Sequence, residues 1–130
     1  MPAYDGTRFD PPAPLVHGSL RNPDIGAVLP EVPMLLDSGA DVTLLARAVM
    51  SPLGLSAIPG NHYELVAFDG SRSFAAVTRL ELQFCRRTFR GQSLLIEHAW
   101  SILGRNVLNA VAILLDGPNL SWREQPGSRS

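Results

Sequence analysis

Residues 35–45 read Leu35-Leu36-Asp37-Ser38-Gly39-Ala40-Asp41-Val42-Thr43-Leu44-Leu45. Two apolar runs flank a short polar loop. The first begins at Val32-Pro33-Met34 and stops abruptly at Asp37; the second is Val42 to Leu45. Apolar runs of this length, bounded by turn-forming residues, read as buried β-strands. A carboxylate at the end of such a strand is costly unless it is hydrogen-bonded, protonated or functional. Ser38 offers a hydroxyl beside it. Gly39 permits unusual dihedrals and the close approach of another backbone. Alone, Asp-Ser-Gly also describes ordinary turns, so the rest of the chain must decide its meaning.

The chain has 130 residues, 45% apolar and 18% charged. That is the length of one ordinary domain, with enough apolar residues for a core. Eleven Gly and eleven Pro imply many turns and short strands. The basic residues are all Arg, and they nearly balance twelve Asp and Glu, leaving a formal charge of -1. No positive surplus is available to grip nucleic acid or an anionic membrane. No apolar run approaches a membrane span, and the polar, Pro-rich start is unlike a secretion signal. A cytoplasmic protein is therefore expected. Cys85 is the single cysteine, so no intrachain disulfide can form.

Residues 1–14 read as a flexible N-terminal arm, 15–123 as one domain, and 124–130 as a flexible tail. Within the domain, Leu15 to Leu20 reads as a strand and Arg21 to Asp24 as a turn. Ala46 to Met50 reads as a helical turn stopped near Pro52 and Gly54. Tyr63 to Phe68 and Phe74 to Phe84 flank Asp69-Gly70, a strong hairpin signal. The far arm alternates, with Ala76, Thr78, Leu80, Leu82 and Phe84 as its more apolar face. Arg86 to Gly91 reads as a polar, solvated connection. Ser93 to Glu97 and Ala99 to Leu103 are further strand-like pieces. Gly104-Arg105-Asn106 opens a short amphipathic stretch over Val107 to Val111. Ile113 to Leu115, a turn over Asp116 to Asn119, and Leu120 to Trp122 complete the domain.

Leu35 to Leu45 resembles the active-site segment of the retropepsin-like aspartic proteases, the retroviral-type family with cellular and bacterial members. Ile102-Leu103-Gly104-Arg105-Asn106-Val107-Leu108 resembles the family's second signature, ahead of its C-terminal helix. The Asp69-Gly70 hairpin falls between the two, where such proteases carry a flap. The resemblance covers residues 30 to 120. It implies an all-β, closed-barrel, single-lobe acid-protease fold with one short C-terminal helix. It also implies an aspartic endopeptidase that needs no cofactor and cuts peptide or protein substrates.

Such chemistry needs two carboxylates about 3 Å apart that share one proton. Asp-Ser/Thr-Gly occurs here only once, and the chain is too short for two lobes. The resemblance therefore implies a homodimer with Asp37 of each chain at a two-fold axis. Asp37 is the expected catalytic residue, with Ser38, Gly39 and Ala40 as the loop around it. The resemblance also places Asp41 and Arg105 together beneath the loop as a bidentate pair, with Asp41 available to substrate backbone. Gly104 and Asn106 complete that support, Asn106 as a cap or hydrogen-bonding residue. Phe68, Asp69, Gly70 and Ser71 are the expected flap tip.

Two other readings stay open on the sequence. One is a catalytically silent retropepsin-like domain that binds peptide or dimerises. The other is an unrelated β-barrel in which Asp37 only caps a turn. Other chemistries fail on spacing. His17, His62 and His98 are far apart, with no metal-ligand pattern. Ser56 lacks the glycines of a nucleophile elbow. Cys85 sits beside arginines that would lower its pKa, yet its place in a hairpin makes it a poor nucleophile.

Overall fold

The computed structural model describes residues 2–60, 62–66, 69–97 and 99–125. Nine strands form: β1 (Leu15–Arg21), β2 (Val28–Leu36), β3 (Leu44–Ala46), β4 (His62–Val66), β5 (Arg72–Phe84), β6 (Arg87–Ile96), β7 (Ser101–Leu103), β8 (Ile113–Asp116) and β9 (Ser121–Glu124). Two short helices accompany them, α1 (Met50–Leu53) and α2 (Arg105–Leu108).

Six strands close into a barrel. The order is β1-β2-β7-β3-β6-β5, and β5 returns to β1 through Ser19 to Arg21. Closure removes the sheet edges that would invite aggregation. β2–β7 and β3–β6 are parallel pairs, and the other pairs are antiparallel. Alternation sends Val16 and Leu20, Val32 and Met34, and Leu80, Leu82 and Phe84 into one core. Leu45, Leu95, Leu103, Val107 and Trp122 join them. Gly18 packs tightly where β1 crosses the core: a β-carbon there would lie 2.9 Å from Leu82 Cδ1, a side-chain end that would have to shift.

β5 is long enough to serve two neighbours. Residues 77–84 pair with β6, and residues 72–76 pair with β4 in a hairpin that continues past the barrel. Ala75, Val77 and Leu94 form a second buried cluster, against which Leu44 and Ile58 pack. The first half of β5 therefore buries the face opposite to the one its second half turns into the core.

Two local readings of the sequence are corrected. The β5–β6 connection is only Cys85-Arg86, both at positive φ (54° and 62°), the geometry of a tight two-residue hairpin turn. β6 already begins at Arg87. Its first six residues look like a loop because all but Phe89 are exposed. The helical turn is also longer than expected. A 3-10 turn over Arg47–Val49 runs into α1, and Pro52 lies inside it. In the first turn of a helix a missing N–H costs little. Gly54, left-handed at φ 63°, ends it.

The first residues fold back onto the chain's last strand. Trp122 N–H donates to Pro2 O (3.0 Å) and Tyr4 N–H to Leu120 O (2.7 Å). Among the described residues, no helix is long and apolar enough to cross a membrane.

Candidate active site

Asp37 is the first residue beyond β2. Its backbone N–H donates to Leu103 O at 3.1 Å, extending the parallel β2–β7 ladder by one bond. The barrel therefore sets where the carboxylate begins. Its carboxyl Oδ1 accepts from Gly39 N–H at 2.9 Å, and Ala40 N–H donates to Asp37 O at 3.1 Å. These two bonds fold Asp37-Ser38-Gly39-Ala40 into a tight turn. Asp37 is half-buried, while Ser38 and Gly39 are exposed. The carboxylate is thus oriented by the backbone yet remains reachable.

Arg105 holds the same turn from below. Its backbone N–H donates to Ala40 O at 2.8 Å. Its guanidinium divides its donors, with Nη1 on Ser38 O at 2.8 Å and Nη2 on Asp41 Oδ1. The two side chains come together as expected, but the pair is not bidentate. The guanidinium fork bridges a carbonyl and a carboxylate, because the Ser38 carbonyl points down into its reach. Asp41 is 82% exposed, so the ion pair alone adds little stability. It orients the arginine, and the arginine orients the loop.

Gly104 makes this arrangement possible. A β-carbon there would lie 2.3 Å from Val42 O and 3.0 Å from Ala40 O. Only glycine lets the second half of the loop lie across the β7–α2 junction. Asn106 accepts from Thr43 Oγ1 at 2.9 Å, and Thr43 Oγ1 accepts from Gly104 N–H at 3.2 Å. Asn106 is therefore no cap of α2. It is the far end of a short relay into the loop.

Thr43, 2% exposed, is the residue that sequence reasoning missed. The available signal was a hydroxyl inside the apolar run Val42-Thr43-Leu44-Leu45. A buried hydroxyl needs a partner, and here it serves two elements that the chain order keeps far apart.

At the tip of the β4–β5 hairpin, Asp69, Gly70 and Ser71 are exposed, and Gly70 takes φ 85°. Phe68 lies outside the described residues. Hydrogen bonds from the Ser71 hydroxyl and from its N–H (2.8 Å) hold the Asp69 carboxyl below the ordinary carboxylate range. The tip therefore carries a fixed negative charge. Among the described residues, no cluster of His, Cys, Asp or Glu is arranged to hold a metal ion.

Cys85 lies apart from this loop, at the β5–β6 turn. Burial, followed by the charge of Glu124, raises its thiol pKa to about 11, and these outweigh Arg87 and Arg86. The neighbouring arginines do not activate it. Alkylation by iodoacetamide at pH 8 is expected to run about 100-fold slower than for a peptide thiol at the ordinary 9.0. A rate equal to the peptide's contradicts that shift.

Comparison with solved structures gives a match to the EIAV protease complexed with the inhibitor HBY-793. The two share 22% identity, and the match covers 75% of this chain and 86% of that one at a TM-score of 0.56. The chain has the retropepsin fold. No protein-family model matches the sequence, and neither does any curated protein. Within the retropepsin fold, the β2–β3 loop and the β7–α2 junction meet at the end of the barrel, and the β4–β5 hairpin extends beyond it.

Proposed function

We propose that this protein is an aspartic endopeptidase whose active unit is a homodimer, with Asp37 of both chains forming the catalytic pair. The observation that supports this most is a reachable Asp37 carboxylate, held by Gly39 N–H and braced by Arg105, at one end of a retropepsin barrel. One chain supplies one such carboxylate, and the reaction needs two.

At the two-fold axis the paired carboxyls share one proton, because like charges so close cannot both ionise. The ionised member removes a proton from a water molecule. The water oxygen then attacks the peptide carbonyl, and the protonated member donates its proton to the carbonyl oxygen. Collapse of the tetrahedral intermediate breaks the C–N bond. One carboxyl gives its proton to the departing nitrogen while the other takes a proton from the hydroxyl that becomes the product's carbonyl, so the pair again holds one shared proton. Titration belongs to the pair as a unit. In the dimer Ser38, exposed beside Asp37, bonds across to the partner loop. The substrate lies extended, as an added strand beneath the β4–β5 hairpins acting as flaps. Asp69 at each tip disfavours acidic side chains in the substrate.

Arg105 acts here as a positioning residue. Arg105→Lys keeps one cation but loses the fork that spans Ser38 O and Asp41. Its kcat is expected to fall about tenfold while the melting temperature changes little, since the exposed pair contributes little stability. Equal kcat in the two proteins rules out this role.

The whole proposal is tested by incubating concentrated protein with a diverse peptide mixture from about pH 4 to 7, with and without a statine-type inhibitor. Cleavage that the inhibitor blocks supports an aspartic protease. A confirmed dimer that cuts nothing supports the silent peptide-binding reading instead.

A further inference from the structure

β1, the β5–β6 turn and β9 meet around a cavity of about 480 Å³. None of its lining residues belongs to the Asp37 loop or to the β7–α2 junction. The volume falls within the range of about 300–1,000 Å³ that small-molecule pockets occupy. Its wall is apolar. Val16, Phe84 and Trp122 line it, and the rings of Phe84 and Trp122 pack with centroids 5.9 Å apart. All three belong to the barrel core, so the barrel fixes their positions.

The rim is charged. Arg86 of the β5–β6 turn, Arg123 and Glu124 of β9, and His17 of β1 stand around the opening. Arg8, Arg21, Arg47, Arg72, Arg90 and Arg105 are each held by a carboxylate. Among the described residues, Arg86 and Arg123 have no such partner, and both are exposed. Two unpaired guanidinium groups thus face one cavity, against the single carboxylate of Glu124. The wall is also unfinished. The indole Nε1–H of Trp122 is buried and has no partner among the described residues, and buried donors are seldom left so.

We infer that this cavity is a second binding site, which takes a small carboxylate ligand with an apolar body. The carboxylate lies between Arg86 and Arg123, whose planar forks suit its two oxygens. The aliphatic or aromatic body covers Val16, Phe84 and Trp122. A bare inorganic anion would leave that wall uncovered, and a cation would meet two arginines. A fatty acid and the C-terminal residue of a short peptide share the required chemistry. The site is independent of the protease reading, because no residue of the Asp37 loop takes part.

Cys85 lines the same cavity and is the chain's single cysteine, so its alkylation reports on this place alone. Iodoacetamide is applied at pH 8 with octanoate, with N-acetylleucylphenylalanine, and with the uncharged amide of each. At least one carboxylate is expected to slow alkylation about fivefold or more, by covering the thiol and by adding a negative charge beside it. The amides are expected to leave the rate within about twofold, since they lose the charge-assisted bonds. Protection by octanoate alone supports the site with a fatty acid as its ligand, and protection by the peptide alone supports it with a peptide end. Equal rates with and without both carboxylates overturn the inference, as does equal protection by the amides. Protection that rises with protein concentration in the absence of ligand shows a second copy of the chain on this face, and also overturns it.

Three charge variants test the rim. Arg86→Asn removes a cation and keeps a residue suited to the left-handed turn at φ 62°. Arg123→Gln removes the other cation. Each is expected to raise the dissociation constant, read from the midpoint of Cys85 protection, about tenfold. Glu124→Gln takes a like charge from the rim and is expected to lower it about threefold. None of the three side chains forms an ion pair among the described residues, so the melting temperatures should hold. Arginine variants that bind as wild type does overturn the inference.

Discussion

Replacing Asp37 with Asn is expected to abolish peptide hydrolysis, by about 10⁴-fold or to background, without unfolding the protein. General acid–base groups contribute up to about that factor, and in a homodimer one substitution removes both. An amide can neither take a proton from water nor hand one to the carbonyl oxygen. It can still accept through its Oδ1, so the 2.9 Å bond from Gly39 N–H survives. The bonds that place the residue, Asp37 N–H to Leu103 O and Ala40 N–H to Asp37 O, are backbone bonds and are untouched. Cleavage of a fluorogenic peptide and a thermal melt check the two halves of this expectation. A variant that cuts at the wild-type rate removes Asp37 from the chemistry. A variant that unfolds gives Asp37 a structural role that these bonds do not predict.

The second large effect is on folding. Gly104→Ala is expected to destabilise the protein by about 3 kcal/mol or more, at or beyond the upper end of overpacking costs. The reason is the identity of the obstacle. The new β-carbon would sit 2.3 Å from Val42 O and 2.4 Å from Val42 C, both backbone atoms. A flexible side chain could swing aside, but a strand entering a barrel cannot. Relief requires the Ala40–Val42 segment to lift from the β7–α2 junction. That movement would break the Arg105 N–H to Ala40 O bond at 2.8 Å and the Gly104 N–H to Thr43 Oγ1 bond at 3.2 Å. Urea denaturation measures the loss. Residual dimer should also have a displaced active-site loop and little activity. A change below about 1 kcal/mol shows that the loop is not seated as described.

The parts of the molecule legible in the sequence are those where one local rule acts alone. The β2–loop–β3 segment is readable because two apolar runs stop sharply at Asp37 and restart at Val42, although β3 itself begins only at Leu44 and runs on to Ala46. The β4–β5 hairpin was readable from Asp69-Gly70. The β8–β9 hairpin followed from Asp116 to Asn119, where the Asn119 side chain does bond Asp116, at 2.8 Å. The closed barrel came from the resemblance rather than from these rules.

What was hidden depends on contacts between distant segments. Arg86 to Gly91 reads as a loop because exposed strand residues carry no apolar alternation, and only pairing with β5 makes Arg87 to Gly91 a strand. Thr43 stands out in the sequence only as a lone hydroxyl among apolar residues; its partners, Asn106 and Gly104, lie more than sixty residues on and carry no matching signal. The split of the Arg105 fork between Ser38 O and Asp41 follows from the direction of one carbonyl, which no side-chain pattern encodes. The return of Pro2 to Tyr4 onto β9 is made of backbone bonds, and these carry no sequence signature.

The central claim is that one active site uses Asp37 from two chains. Mixing tests it most directly. Wild-type chains are unfolded together with an equal amount of Asp37→Asn chains and refolded, so that the two kinds pair at random. Hydrolysis per wild-type chain is expected to fall to about half that of wild type refolded alone at saturating concentration, because half of the wild-type chains then face an inactive partner. Activity that is unchanged by the added variant would mean that each chain works alone, and would contradict the shared pair.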